Sequence, residues 1–79
     1  MKAKVYVTLK NGVLDPQGVA VLHAAHTLGY EEIKDVRVGK VFELELGDVK
    51  GDVAEDRLKK LSDQLLANTV IENFKIEII

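Results

Sequence analysis

The chain has 79 residues, 47% of them hydrophobic and 30% charged, with a formal net charge of −2. That is room for a single domain, 1–79. Acids and bases are interspersed, no apolar run reaches the ~20 residues of a membrane span and there is no Cys, which argues against a nucleic-acid or membrane partner and excludes disulfides and thiolate metal sites.

Residues 2–10 alternate at once after Met1. Ala3, Val5, Val7 and Leu9 face one way and Lys2, Lys4, Tyr6, Thr8 and Lys10 the other, the pattern of a half-buried strand. No signal-peptide block stands here, so the cytoplasm is the expected compartment. Asn11-Gly12 is turn chemistry. Asp15-Pro16 then opens a helix. Asp15 as N-cap accepts backbone N–H bonds, and Pro16 at the first helical position gives up only a donor that has no partner there. Gly18, Val21, Leu22, Ala25 and Leu28 recur at helical spacing. Gly29 is placed to end the helix at positive φ, with Tyr30 packing back on the helix end.

Residues 34–46 admit two readings. Gly39-Lys40 resembles a two-residue hairpin turn, but a hairpin would put Val36, Val38 and Val41 on one face and Phe42, Leu44 and Leu46 on the other. If the strand runs straight through, Val36, Val38, Phe42, Leu44 and Leu46 share one face, broken only by Lys40. Parity favours one long strand, about 34–46, bent at Gly39. Such a strand spans about 43 Å at ~3.3 Å per residue. A globule of this size is about 30 Å across. Another chain is then needed to cover part of the strand, as expected of a small domain without disulfides, and an oligomer is the expectation.

Gly47–Gly51 is a polar connector. Asp52 and Glu55 form a capping-box-like helix start, and Ala54, Leu58, Leu61 and Leu65 make the apolar stripe, with Leu66 beside it. Asn68 is a candidate C′ residue. Residues 71–79 return to alternation, Phe74, Ile76 and Ile78 on one face, and the apolar Ile79 suggests a buried or paired terminus. The order β-α-β(β)-α-β predicts an α+β, ferredoxin-like sandwich: two helices on one face of a mostly antiparallel sheet, with a right-handed first crossover.

Few residues carry chemistry. His23 and His26 lie i, i+3 on one helix, but no third metal ligand is evident, so surface or interface histidines are expected. Ser62 is the one serine and has no base partner. Glu43, Glu45 and Arg37 share a strand face, as a solvated or interface surface would. No glycine-rich nucleotide loop occurs. The start of the first helix could hold an anion, but Asp15 would repel it; the plainer reading is a well-capped helix on which Gly18 permits close packing or a partner's approach. An RNA-recognition domain would need stacking aromatics where this chain has Val, Tyr, Thr and charges.

Three segments together resemble PurS, the small subunit of phosphoribosylformylglycinamidine (FGAM) synthase. They are Leu9-Lys10-Asn11-Gly12-Val13-Leu14-Asp15-Pro16-Gln17-Gly18 with Leu28-Gly29-Tyr30, then Val36-Arg37-Val38-Gly39-Lys40 with Phe42-Glu43-Leu44, then Leu65 to Phe74. Thr69 stands where the family commonly has Pro, and Asn73-Phe74 where it has Asp-Tyr. The resemblance implies a non-catalytic bridging subunit of a purine-biosynthetic ligase. That complex converts formylglycinamide ribonucleotide, glutamine and ATP to FGAM, glutamate, ADP and phosphate. It implies self-association as a dimer or tetramer, a PurL-like synthetase partner that holds ATP and Mg, a PurQ-like glutaminase partner, and no cofactor on this chain. The residues expected to face partners are Asp15, Pro16, Gln17 and Gly18 at the helix start and Arg37, Gly39 and Lys40 at the strand bend, with Arg37 the polar anchor. The alternative is a ferredoxin-like regulatory module that binds an amino acid or other metabolite between protomers; its Gly-rich ligand loop would have to be Asn11–Asp15, where only Gly12 is glycine.

Overall fold

The computed structural model describes residues 1–79. Its elements are β1 (Lys2–Leu9), α1 (Pro16–Thr27), β2 (Lys40–Glu45), α2 (Gly51–Leu61), a π-helical turn Ser62–Leu66, and β3 (Glu72–Ile78). The strands form one sheet in the order β2-β1-β3, antiparallel throughout. The α+β class, two helices with an antiparallel sheet, is as the alternation implied.

The expected parallel crossover from β1 to β2 is not formed, and the path of the chain explains why. α1 leads away from the end of β1, Gly29 at φ 100° ends it, and residues 33–38 come back alongside it. His26 touches Ile33, Gly18 touches Val36 and Asp15 touches Val38, so helix and return segment run in opposite directions. The chain has therefore reversed before it enters β2, and β2 must lie antiparallel to β1, with Val5 opposite Phe42 and Ala3 opposite Leu44.

Burial settles the two readings of residues 34–46. Val36, Val38, Phe42, Leu44 and Leu46 are all half-buried, and the residues between them are exposed. The phase passes unbroken through Gly39 and no turn forms at Gly39-Lys40, which excludes the hairpin. Gly39 lies close against β1: a Cβ there would stand 2.8 Å from the Val7 carbonyl oxygen. Within the chain only Lys40–Glu45 of the expected 34–46 strand is paired as a ladder; residues 33–39 have none.

The core lies on the odd-numbered face of β1. Ala3, Val5 and Val7 are buried there, flanked by Phe42, Leu44, Phe74 and Ile76. Ala54 and Leu58 of α2 and Ala67 after the π turn complete it. The opposite face carries Lys4 between Glu43 and Glu77, and Tyr6 between Val41 and Lys75. Like-with-like faces of this kind are what strict alternation produces in an antiparallel sheet.

Four local expectations are corrected. The Asp52/Glu55 capping box does not form; α2 starts after Lys50 with no side-chain cap, and Glu55 instead stands 3.7 Å from Lys59 one turn on. Leu65 does not continue the stripe: it is 73% exposed, while Ser62 and Ala67 are buried. The Ala67 N–H donates to the Ser62 carbonyl five residues back, at 2.9 Å, and this wider turn rotates every later side chain off the α-helical stripe. Asn68 does not take positive φ; it opens a turn by accepting the Val70 N–H on its side chain and the Ile71 and Glu72 N–H groups on its carbonyl. The Tyr30 ring is exposed, and what closes on the helix end is its backbone N–H, donated to Ala25. At Ile79 the backbone is paired with Lys2 while the side chain stays exposed.

The molecule is a slab of 49 × 25 × 14 Å with a radius of gyration of 15.9 Å. A compact chain of this length would have about 12 Å. Only nine residues are buried, so the slab is too thin to cover both sides of its own sheet. No helix is long and apolar enough to cross a membrane. The π turn makes a direct prediction. Leu58→Ala, at 3% exposure, should lower stability by about 2–5 kcal/mol. Leu65→Ala should change it by no more than about 0.5 kcal/mol. Urea denaturation of both variants measures this, and equal losses would put Leu65 back on the buried stripe.

Candidate functional site

The point where α1 leaves the sheet and the return segment rejoins it gathers most of the expected partner-facing residues. Asp15, Pro16 and Gln17 come from the helix start, and Gly39 and Lys40 from the start of β2. They line a groove of about 530 Å³ whose floor is Val7, Leu9, Val38 and Ile71. Arg37 is not among the lining residues; its guanidinium donates to the Lys10 carbonyl at 3.3 Å. A second hollow, about 550 Å³, lies between the end of β2 and α2 and contains none of these residues.

Asp15 holds the junction together. One carboxylate oxygen accepts the Gly18 N–H at 2.8 Å, the cap expected of it. The other accepts the Val38 N–H at 2.7 Å, from a segment more than twenty residues later. A single buried carboxylate thus ties the helix start to the strand bend. These two backbone donors, Val38 foremost, hold the Asp15 carboxyl below its ordinary value of 3.8 against the opposing effect of burial, with Arg37 and the Gln17 N–H adding to the lowering.

This geometry corrects two of the expected roles. Asp15 is 4% exposed and Gly18 is buried, so neither presents a side chain or a clear surface to another protein. Gly18 does permit a close approach, but of the chain's own backbone: a Cβ there would lie 2.1 Å from the Val36 carbonyl oxygen. A leucine at position 18 would therefore disrupt the fold. Pro16, Gln17, Arg37, Gly39 and Lys40 are exposed. Lys40 stands 3.9 Å from Glu72 and 5.9 Å from the centre of the Phe42 ring. Glu72 also accepts the Asn68 N–H. His26 is used locally, its Nε2 donating to the Ile33 carbonyl at 2.8 Å.

Leu14, Ile71 and Glu72 also line the groove and have no signal in the sequence that joins them to it. Ile71 and Glu72 arrive only because β3 lies beside β1, with the Lys10 N–H donated to the Ile71 carbonyl. The groove as a whole has an apolar floor, one lining cation, Lys40, and two carboxylates that are both engaged, Asp15 by the Gly18 and Val38 N–H groups and Glu72 by the Asn68 N–H and Lys40. That combination suits an acidic or backbone-rich protein surface.

The family model for PurS, phosphoribosylformylglycinamidine (FGAM) synthase, matches residues 2–79. The PurS subunit of Bacillus subtilis phosphoribosylformylglycinamidine synthase is 49% identical over 77 residues, covering 98% of this chain and 90% of its own length. A crystal structure of B. subtilis PurS superposes with a TM-score of 0.79 at 52% identity, covering 96% of this chain and 94% of that one. A chain in the structure of PurLQS from Thermotoga maritima superposes with a TM-score of 0.89 at 26% identity, covering 99% and 95%.

The junction makes a pH prediction. A carboxyl whose folded pKa is depressed contributes stability above its unfolded value, and that contribution is lost as pH falls through the folded one. The melting temperature of the native chain should exceed that of Asp15→Asn by a constant margin above about pH 5 and converge with it below about pH 4. A margin unchanged at pH 3 would show that the charge does not matter. Gly18→Ala should destabilise by about 1–3 kcal/mol through the clash with Val36, measured by the same melts.

Proposed function

The chain belongs to the PurS family, and from that membership we propose that it is the bridging subunit of a phosphoribosylformylglycinamidine synthase complex. Its relatives are subunits of that synthase, a Thermotoga maritima relative carries the ligase classification EC 6.3.5.3, and one relative sits in a structure of PurLQS. On this reading the chain associates with itself and joins a PurL-like synthetase to a PurQ-like glutaminase. Ammonia released from glutamine then reaches the synthetase site within one assembly, in the cytoplasm. The metabolite-sensor alternative has no support among these relatives.

The observation that carries the bridging role is the surface left uncovered by a 14 Å thick slab. Leu14, Val19, Val21, Val41 and Leu65 are exposed apolar residues. α1 carries no charged side chain from Pro16 to Thr27 and buries only Gly18. A helix apolar on most sides is built to be covered by other protein. Arg37 and Lys40 add a polar address to this surface.

We also propose that the chain supplies no catalytic group, and that ATP and Mg belong to the large subunit. The support is chemical: of the groove's two carboxylates, Asp15 accepts the Gly18 and Val38 N–H groups, and Glu72 accepts the Asn68 N–H and stands 3.9 Å from Lys40, so both already serve the fold.

Reconstitution with PurL-like and PurQ-like partners tests the reading. Omitting the chain should abolish glutamine-dependent FGAM formation and largely spare the ammonia-dependent reaction. Arg37→Ala should leave the chain folded and weaken assembly by about 10–30-fold, the loss of a ~1.4–2 kcal/mol anchor. Undiminished glutamine-dependent turnover without the chain would sink the bridging role.

A further inference from the structure

The turn between β1 and α1 leaves a reactive pair of neighbours free. Asn11-Gly12 is the only Asn-Gly step in the chain. The Val13 N–H donates to the Lys10 carbonyl at 3.2 Å, which closes residues 10–13 into a β-turn with Asn11 and Gly12 at its tip. Gly12 takes φ 84° while Asn11 does not take positive φ, as in a type II turn. Both residues are exposed, and a Cβ on Gly12 would meet nothing within 4 Å. The Asn11 side chain and the Gly12 N–H make no hydrogen bond within the chain. Asparagine is a thermolabile residue. Here the side-chain carbon that can be attacked and the backbone nitrogen that can attack it are both open to water, and glycine puts no side chain between them.

We propose that Asn11 is a site of spontaneous covalent modification, at which the Gly12 nitrogen cyclises onto the Asn11 side chain and converts it to aspartate and isoaspartate. In the first step the Gly12 N–H gives its proton to hydroxide and the nitrogen bonds to Asn11 Cγ, closing a five-membered succinimide ring. The Cγ–Nδ2 bond breaks, and the amide nitrogen takes a proton from water and leaves as ammonia. In the second step one water adds to either ring carbonyl and the carbon–nitrogen bond there breaks, its nitrogen recovering a proton. Opening at Cγ leaves aspartate at position 11. Opening at the backbone carbonyl carbon leaves isoaspartate, whose main chain runs through the side-chain carbons. One water is consumed, one ammonia is released and nothing is oxidised or reduced, so water is the only co-reactant.

The other two asparagines lack this arrangement. Asn68 spends its side-chain oxygen on the Val70 N–H and is followed by the β-branched Thr69. Asn73 lies opposite Thr8 in the β1–β3 ladder, with Phe74 after it. The position of Asn11 gives its conversion a structural consequence. The Lys10 carbonyl, next to it in the chain, accepts the Arg37 guanidinium as well as the Val13 N–H, and Val13 and Leu14 line the groove. Either product adds a negative charge at the turn. Isoaspartate also adds a methylene to the main chain, so the bond from Val13 to Lys10 no longer spans a turn of the same length. Its carboxylate then competes with the Lys10 carbonyl for Arg37, because a charged acceptor binds a guanidinium more strongly than a neutral one. The modification is slow and one-way, and it resets the wall of the groove that Val13 and Leu14 form.

Incubation of the full, folded chain at mildly alkaline pH, followed by tryptic digestion and mass spectrometry, tests this. The peptide that begins at Asn11 should gain one mass unit and separate into two forms, one of them methylated by a protein isoaspartyl methyltransferase used as a reagent. The peptide holding Asn68 and Asn73 should keep its mass over the same period. Asn11→Gln, which would need a six-membered ring, should show no gain, and Gly12→Ala should slow the gain at least about tenfold by placing a Cβ beside the attacking nitrogen. In the isoaspartate form, separated by ion exchange, the Val13 amide should exchange its hydrogen about fivefold faster than in the unmodified chain. A mass gain at Asn11 in urea but not in the folded chain would show that the turn shields the pair and would overturn the proposal. So would an earlier gain at Asn68 or Asn73. Equal exchange at Val13 in both forms would overturn the effect on the turn.

Discussion

Both oxygens of one carboxylate decide the shape of this molecule. Asp15 caps α1 through Gly18 and, with its other oxygen, takes the Val38 N–H. The second bond holds the returning segment antiparallel to the helix, Gly18 lets the Val36 carbonyl come close enough for it, and His26 secures the far end at Ile33. From that return follow the antiparallel entry of β2, the groove at the junction, and a slab 49 Å long. A buried carboxylate satisfied by two backbone donors is stable as an anion, whereas the same group with one donor missing would leave a buried charge underpaired.

A slab has consequences that a globule does not. Its one core, Val5 and Val7 with Ala67 and their neighbours, covers the centre of the sheet and little else. α1 stands off the end with its apolar side chains in water, and the return segment offers backbone groups with no partner. Small chains without disulfides or metals gain stability by association. On the proposed reading the association is also the function, the surface that needs covering being the one by which a bridging subunit would hold others. A family of synthase subunits is where such a chain belongs, and the match over residues 2–79 agrees with that.

Several elements were legible because their signals are local. Alternation in residues 2–10 and 71–79 marks strands, Asp15-Pro16 marks a helix start, and Gly29 marks its end. The parity of Val36, Val38, Phe42, Leu44 and Leu46 ruled for one phase through Gly39, and their burial shows it. What escaped was set by small backbone changes. The π turn at Ser62–Leu66 moved Leu65 off the stripe, and the Asp52/Glu55 box lost to Lys50 as the helix start. Neither leaves a mark in residue spacing, since both depend on where hydrogen bonds close after packing.

By itself the sequence determined which faces are apolar and where the chain turns, because side-chain period and turn residues act within a few positions of themselves; of the long strand it predicted, only Lys40–Glu45 forms within the chain. It also offered Pro16, Gln17, Arg37, Gly39 and Lys40 as residues expected to face a partner, by resemblance and not by contact. Only the tertiary structure decided that Asp15 and Gly18 serve the inside of the chain, that Ile71 and Glu72 join the groove, and that β2 returns antiparallel with an open edge. Those outcomes rest on bonds and contacts between segments tens of residues apart, Asp15 to Val38 and Lys10 to Ile71, and separation along the chain carries no record of which distant donor a buried oxygen will find.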